Sequence, residues 1–265
     1  MKYLSEEQWE SYLQQGYLKL GKVVNDEIIE ALCTRIDDIM LGKAKVDYNK
    51  MMMQLDSESG AYNDAGVQTR GHKGETLNYR KIQDLEYDEL YMDFMQHPLF
   101  KEICERTHGK DKNIDIFRAM FMNKPAGKGT LLPWHQDRWS NLTIDPQITI
   151  WTALDAATIE NGCVEILPGT HQKLINPDHP SGFLEPDMIL PYKPEEKKVY
   201  MELQKGETVL LHNWLLHSSN VNNSKMSRRA FSMCYMDADT ELTNPLGRYS
   251  YNPVFNNQKR EKASL

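Results

Sequence analysis

The stretch QITIWTALDA, residues 147–156, and the stretch CVEILPG, residues 163–169, decide the fold class of this chain. Both are short, contain β-branched residues and are bounded by Asn, Gly or Pro, which is typical of strands. Three segments of the same kind flank them: IDIFRAMFMN, ETVLLHNWLLHSS and RRAFSMCYMD, which start at residues 114, 207 and 228. Because no helical pattern lies between these segments, they predict a sandwich or barrel and not an alternating α/β sheet.

The first 113 residues read mainly as helices that form a layer against the predicted sandwich. Residues 5–15 begin with the Ser and Gln of a capping box and are followed by Gly16. A short alternating strand follows at 17–20, and a second helix opens at Asn25. Helical spacing returns from 84 to about 107.

Two segments show neither the apolar spacing of a helix nor the alternation of a strand, and both are rich in Gly or Pro: residues 42–80 and residues 170–200. Long irregular segments of a compact domain are usually functional. We therefore expect both to lie outside the core, and at least one to be poorly ordered without substrate and to close over the site with it. Residues 51–53, three consecutive methionines, could line such a lid or plug the core.

No composition typical of a linker interrupts the chain, so the sequence predicts a single domain. Within this domain, residues 1–113 are expected to form the helical layer and lid, and residues 114–240 the β core. Residues 241–265 are expected to form a C-terminal tail.

The net charge of the chain indicates which kinds of partner are disfavoured. The chain has 31 Lys and Arg against 38 Asp and Glu, a net charge of −7, which disfavours nucleic acid or an anionic membrane as a partner. The four cysteines are scattered, and the amino terminus, MKYLSEEQWE, lacks the apolar core of a signal peptide. We therefore expect a cytoplasmic protein that acts on a small molecule, whereas the oligomeric state is not predicted.

The stretch LPWHQD, residues 132–137, carries a candidate metal site. In a strand, residues two apart point to the same face, so the side chains of His135 and Asp137 converge. Two histidines and one carboxylate suit a divalent transition metal and leave coordination positions open. His217, at the end of an apolar strand, is the candidate third ligand, whereas His212 is expected on the other face of that strand.

Arg228 is the candidate partner of an anionic ligand. It lies eleven residues after His217, beyond a polar turn, and this distance fits a hairpin that returns Arg228 beside the histidine. A guanidinium fork suits a carboxylate. Arg229 lies on the opposite, bulkier face, and the alternative is that both arginines are solvent-exposed charges. The next side chains on the face of Arg228 are small and leave room for a ligand: Ala230, Ser232 and Cys234.

These residues lie in stretches that resemble the phytanoyl-CoA dioxygenase family of Fe(II)/2-oxoglutarate oxygenases: LPWHQD, ITIWTALDAATIENGCVEILPGTH, KGETVLLHNWLLHSSNVN and SRRAFSMCY. The pair NGC and LPGTH is especially characteristic. The resemblance implies a double-stranded β-helix (jelly roll, cupin-like) with iron held by His135, Asp137 and His217. Since the carboxylate is present, the halogenating chemistry of relatives with a small residue at that position is not expected.

The resemblance also implies the residues that bind the cosubstrate. Arg228 and Ser219 would bind the distal carboxylate of 2-oxoglutarate, and Trp151 and Lys81 match a tryptophan and a lysine that family members use. For Lys81 the alternative is a surface charge that opens a helix.

Candidates for contact with the substrate come from strand faces. Trp139 continues the face of His135 and Asp137. Arg118 is a lone charge in an apolar strand and therefore needs an anionic partner or a cavity. Arg138, out of phase with the metal face, is expected at the rim.

The sequence thus predicts an Fe(II)/2-oxoglutarate-dependent dioxygenase that uses O₂ and hydroxylates a C–H bond of a small soluble metabolite, with release of succinate and CO₂. One alternative is a jelly-roll metalloenzyme that does not use 2-oxoglutarate, such as an isomerase or a substrate-cleaving dioxygenase, and Arg228 argues against it. Another is a non-catalytic binding module, and the complete set of three metal ligands argues against that. The identity of the substrate is not predicted.

Overall fold

The computed structural model of the chain describes residues 3–57, 59, 61, 64–243 and 252–256. The described residues form the α-helices α1 Glu6–Gln15, α2 Asp26–Met40, α3 Glu89–Met95, α4 Pro98–His108, α5 Pro186–Ile189 and α6 Pro194–Lys197. Their strands are β1 Tyr17–Lys22, β2 Met52–Leu55, β3 Thr69–Arg70, β4 Tyr79–Gln83, β5 Ile114–Lys124, β6 Leu132–His135, β7 Ile148–Ala153, β8 Val164–Ile166, β9 Val199–Met201, β10 Glu207–His212, β11 His217–Ser219, β12 Arg228–Asp237 and β13 Asn252–Phe255.

Strands β5 to β12 are divided between two facing antiparallel sheets. The larger sheet contains β5, β7, β10 and β12, and the smaller sheet contains β6, β8, β9 and β11. Within the sheets β5 pairs with β12, β6 with β11, β7 with β10 and β8 with β9, so the pairs are nested along the chain. Eight strands nested in this way form a jelly roll. The predicted double-stranded β-helix is therefore confirmed.

The larger sheet continues beyond the jelly roll at both ends. β1 pairs with β10 at one end, and β4, β2 and β3 follow β5 at the other. β13 also pairs with β5. The segment expected as a C-terminal tail therefore contributes a strand, and residues 244–251 and 257–265 of that segment lie outside the described residues.

The expectation that residues 42–80 lie outside the core is wrong. The described part of this segment supplies β2, β3 and the start of β4 to the larger sheet. Met51, Met53 and Tyr79 are buried in the main apolar core, so the methionines plug the core and do not line a lid. Burial of a large apolar side chain stabilises the fold by roughly 1.5–3 kcal/mol.

The helices cover the outer face of the larger sheet and leave its inner face for a cavity. On β12, Phe231, Met233 and Tyr235 join the core beneath the helices. The Tyr91 ring of α3 packs edge-on against Phe231, with 4.7 Å between ring centroids. Because side chains alternate along a strand, the residues between them face the smaller sheet. The capping box at Ser5 and the N-cap at Asn25 begin α1 and α2 where the sequence predicts.

Gly162, in the NGC stretch, is required by close packing beside β11. Its φ is +76°, and a Cβ there would lie 2.4 Å from the carbonyl oxygen of Asn220 and 2.9 Å from that of Val221. A side chain would therefore strain the backbone and push away the chain that leaves β11.

Gly162→Ala is expected to lower the free energy of unfolding by more than Gly21→Ala does. Gly21 also has a positive φ, +71°, but no atom lies within 4 Å of its would-be Cβ, so it experiences only the backbone strain of about 1–3 kcal/mol. Urea unfolding of both variants measures the difference. If the two variants lost the same free energy of unfolding, the contact of the added Cβ with Asn220 and Val221 would have no effect on stability.

Candidate metal and cosubstrate site

Two histidines and one carboxylate meet where β6 ends and β11 begins. His217 is the register partner of His135, and their ring centroids lie 4.1 Å apart. Asp137 lies two residues beyond His135, and its carboxylate oxygens are 3.7 Å from His135 Nε2 and 3.8 Å from His217 Nε2. The three side chains predicted as metal ligands therefore converge.

The backbone fixes the orientation of both imidazole rings. His135 Nδ1 lies 2.8 Å from the carbonyl oxygen of Pro133, and His217 Nδ1 lies 2.8 Å from that of Leu215. When each Nδ1–H donates to its carbonyl, the lone pair of each Nε2 points toward Asp137. Burial and the neighbouring His217 lower the pKa of His135 to about 3, so its ring is neutral.

The residues present fit a metal ion. The ligand atoms of His135, Asp137 and His217 all lie within 4.8 Å of one another. The Asp137 oxygens lie 3.7 and 3.8 Å from the two Nε2 atoms, less than twice a metal–ligand bond of about 2.1 Å, so the carboxylate and each histidine are spaced to share an ion. Two imidazole nitrogens and one carboxylate oxygen suit Fe(II).

His212 does not join this group. It accepts a hydrogen bond from the backbone N–H of Trp214, at 3.0 Å, and its ring lies 5.0 Å from that of His171. The prediction that His217 and not His212 completes the set of ligands agrees with this geometry.

Arg228 is a buried cation without a partner in the described part of the chain. It is 2% exposed, and its Nε and Nη1 have no hydrogen-bond acceptor among the described residues. Its guanidinium carbon lies 5.6 Å from the ring centroid of Trp151. Burial lowers its pKa to about 10, which leaves it charged at neutral pH. Because a buried charged donor without an acceptor is costly, this arrangement fits an anionic ligand.

The predicted hairpin between His217 and Arg228 is wrong. β11 belongs to the smaller sheet and β12 to the larger one, so residues 220–227 cross between the sheets. Arg228 consequently lies across the cavity from His217 and not beside it on a neighbouring strand.

Arg228 and Arg229 lie on opposite faces of β12, as strand alternation predicts. The alternative that both are solvent-exposed charges is therefore wrong. Arg229 donates from Nε to Asp155 at 2.8 Å and from Nη1 to Asp37 of α2 at 2.6 Å. It therefore ties β12 to the helical layer, whereas Arg228 faces the cavity.

A cavity of about 300 Å³ lies between the two sheets. All ten side chains predicted for the site line it: His135, Asp137, His217, Arg228, Ser219, Trp151, Lys81, Trp139, Arg118 and Arg138.

The surface alternative for Lys81 is wrong. Lys81 lies within β4, opposite Met122 of β5, and its side chain lines the cavity. Burial lowers its pKa to about 7, and the nearby positive charges of Arg118 and Arg80 lower it further. Its amine can therefore gain a proton when an anion binds beside it.

Lys124 is a residue of the site that the sequence analysis missed. It is the register partner of Arg228, its side chain lines the cavity, and its amine donates to the carbonyl oxygen of Thr130. Burial lowers its pKa to about 6, with further contributions from Arg228 and Arg80. The sequence could have indicated Lys124, because alternation along β5 places it on the same face as Arg118, which was a candidate.

Phe183 is a second missed residue, and it comes from the proline-rich segment 170–200. Its ring stacks on that of His135, with centroids 4.8 Å apart and 15° between the planes. Gly182 makes this approach possible, since a Cβ at that position would lie 2.0 Å from the carbonyl oxygen of Gln136. This segment thus covers the candidate metal site, and its closure on substrate stays a prediction.

Comparisons with known proteins agree with the geometry. A family model described as phytanoyl-CoA dioxygenase (PhyH) matches residues 12–230. The peroxisomal phytanoyl-CoA dioxygenase of Rattus norvegicus is 29% identical over 258 residues, which cover 92% of this chain and 72% of the rat protein.

Two solved structures share the fold. EctD from S. alaskensis, crystallised with 2-oxoglutarate and 5-hydroxyectoine, has a TM-score of 0.71 at 16% identity over 99% of this chain and 86% of EctD. The non-heme alpha-ketoglutarate-dependent carbocyclase SnoK from nogalamycin biosynthesis has a TM-score of 0.67 at 18% identity over 96% of this chain and 99% of SnoK. Because the family model spans most of the sequence, this chain belongs to the phytanoyl-CoA dioxygenase family and is an oxidoreductase of the iron- and 2-oxoglutarate-dependent dioxygenase class.

Proposed function

We propose that this protein hydroxylates a C–H bond of a small molecule while it converts 2-oxoglutarate and O₂ to succinate and CO₂. The observation that carries the proposal is Arg228, a buried cation whose Nε and Nη1 have no acceptor among the described residues. It lies in the wall of the cavity that His135, Asp137 and His217 also line. An iron site alone would not need this cation, whereas a dicarboxylate cosubstrate does.

His135, Asp137 and His217 would hold Fe(II), and the bound iron with its cosubstrate supplies the oxidising chemistry. The protein contributes fixed ligands. Hydrogen bonds from the Nδ1–H groups to the carbonyl oxygens of Pro133 and Leu215 would keep the imidazoles in one tautomer and one orientation, so the ligands need little reorganisation on binding.

Arg228 would bind the distal carboxylate of 2-oxoglutarate. Ser219, which is buried and lines the cavity, would donate a hydroxyl hydrogen bond, and the Trp151 ring would support the guanidinium. Lys124, opposite Arg228, adds a second basic group at this end of the cavity. Lys81 lies further along the same wall, where it can face the part of the cosubstrate nearer the metal ligands.

The test is iron-dependent formation of succinate from 2-oxoglutarate by purified protein, with and without a metabolite extract. We expect a slow rate without extract and a faster rate with it. Protein that binds one equivalent of iron but forms no more succinate than a boiled sample would contradict the proposal. Conversion of a metabolite without consumption of 2-oxoglutarate would favour the alternative metalloenzyme.

A cytoplasmic location also belongs to this proposal. No described helix has the length and apolar composition needed to cross a bilayer. The rat relative is peroxisomal by name, so fractionation of cells that express the tagged chain is the direct measurement.

A further inference from the structure

The cavity is much more positive than the chain that surrounds it. Among the described residues, six basic side chains and one carboxylate, that of Asp137, line it; the basic ones are Arg80, Lys81, Arg118, Lys124, Arg138 and Arg228. Burial lowers the pKa of Lys81 to about 7 and that of Lys124 to about 6, but the four arginines alone outnumber the carboxylate. The whole chain carries a net charge of −7, so the cavity has the opposite sign. A cleft with one sign of charge concentrates ligands of the other sign.

Four of these basic side chains already have a protein partner or face the proposed cosubstrate. Arg228, Lys124 and Lys81 face the proposed cosubstrate. Arg138 forms an ion pair with Asp145, Nε to Oδ2 at 3.8 Å, and donates to the carbonyl oxygen of Pro177.

Arg118 is different. Among the described residues it has neither an ion-pair partner nor a hydrogen-bond acceptor in the structure, and its contacts are with aromatic rings. Its guanidinium carbon lies 4.9 Å from the ring centroid of Trp139 and 5.2 Å from that of Phe117. Such stacking orients a guanidinium while leaving its N–H groups free for an anion.

Arg118 also lies well along the strand pair from the proposed cosubstrate site. In the ladder between β5 and β12, Arg228 pairs with Lys124, whereas Cys234 pairs with Arg118. The two arginines are thus separated by six positions, about 20 Å along the strands, and Lys81 lies between them opposite Met122. A cosubstrate carboxylate held by Arg228 is too far away to pair with Arg118, so the guanidinium of Arg118 is available to a second anionic group.

We propose that the substrate is a compact molecule with an anionic oxygen group, a carboxylate or a phosphate, that binds Arg118 while an adjacent apolar part packs against Trp139. This inference rests on the proposed function. The cavity of about 300 Å³ must hold the cosubstrate as well, which limits the substrate to a small metabolite.

The first test uses the charge of the natural substrate. A metabolite extract is passed over a strong anion exchanger at pH 8, and the flow-through and the salt-eluted fractions are assayed for stimulation of iron-dependent succinate formation. We expect stimulation from a retained fraction. If that stimulation survives phosphatase treatment, the group is a carboxylate, and if it is lost, the group is a phosphate.

Two outcomes of this test have different meanings. Stimulation by the flow-through alone, or by no retained fraction, would overturn the inference while leaving the proposed function in place. Absence of iron-dependent succinate formation in every sample would instead contradict the proposed function.

The second test assigns the role to Arg118. With the retained fraction, Arg118→Gln is expected to raise the KM for the stimulating compound at least about tenfold, the effect of losing roughly one charge-assisted hydrogen bond, and Arg118→Lys to recover part of it. The KM for 2-oxoglutarate without extract should stay within about twofold of the wild-type value.

Lys45→Gln is the matched control, because Lys45 is exposed and does not line the cavity, so its loss changes only the net charge. It should leave both KM values unchanged. An unchanged KM for the stimulating compound in Arg118→Gln, or an equal rise in the KM for 2-oxoglutarate, would overturn the assignment.

Discussion

His135→Ala and His217→Ala are each expected to abolish iron-dependent succinate formation and to reduce bound iron below one equivalent. Each change removes one of three ligand atoms that lie within 4.8 Å of one another, and no further His, Cys, Asp or Glu of the described residues joins that group to replace it. Iron content after treatment with a chelator and reconstitution with Fe(II) measures the effect separately from activity.

His212→Ala is the matched control for bound iron. It removes a histidine five residues from His217 whose ring contacts His171 and Trp214 and lies outside the ligand group. This variant should still bind one equivalent of iron. Full iron binding by His217→Ala together with loss in His212→Ala would mean that the third ligand has been misassigned.

The faces of strands could be predicted from the sequence because alternation is a local property. On β12, Ser232 and Cys234, on the face of Arg228, line the cavity, whereas the large residues that follow Arg229 face the helices. The same alternation predicted that the side chains of His135 and Asp137 converge. They do so in the structure, although β6 ends at His135. Both predictions needed only the period of two and the sizes of the side chains.

Pairing of strands could not be predicted in the same way, because it depends on partners far away in the sequence. The spacing between His217 and Arg228 fits a hairpin as well as it fits a crossing between sheets, and only the nested pairing of the jelly roll decides. Residues 42–80 form strands of only two to five residues, and β4 is held by pairing with β5, which no local pattern shows. The stacking of Phe183 on His135 is equally non-local.

Arg228→Ala is expected to raise the KM for 2-oxoglutarate at least about tenfold. A charge-assisted hydrogen bond to a carboxylate contributes roughly 1.5–3 kcal/mol, and about 1.4 kcal/mol corresponds to a factor of ten. Bound iron should be unchanged, because no metal ligand is altered. Arg228→Lys should recover part of the loss, since it keeps the charge but not the two-pronged geometry. Initial rates of succinate formation at varied 2-oxoglutarate measure both variants.

Arg229→Ala is the matched comparison, and the structure predicts the opposite pattern for it. Loss of the bonds to Asp155 and Asp37 should lower the free energy of unfolding by about 1–3 kcal/mol, while the KM for 2-oxoglutarate stays close to the wild-type value. Arg228→Ala, in contrast, removes a buried cation without a described partner, so the stability of the ligand-free protein should not fall through lost ion pairs. Urea unfolding and succinate kinetics on the same two variants therefore separate a ligand-binding arginine from a structural one. If the two alanine variants exchanged these patterns, the assignment of the cavity face of β12 would be wrong by one residue.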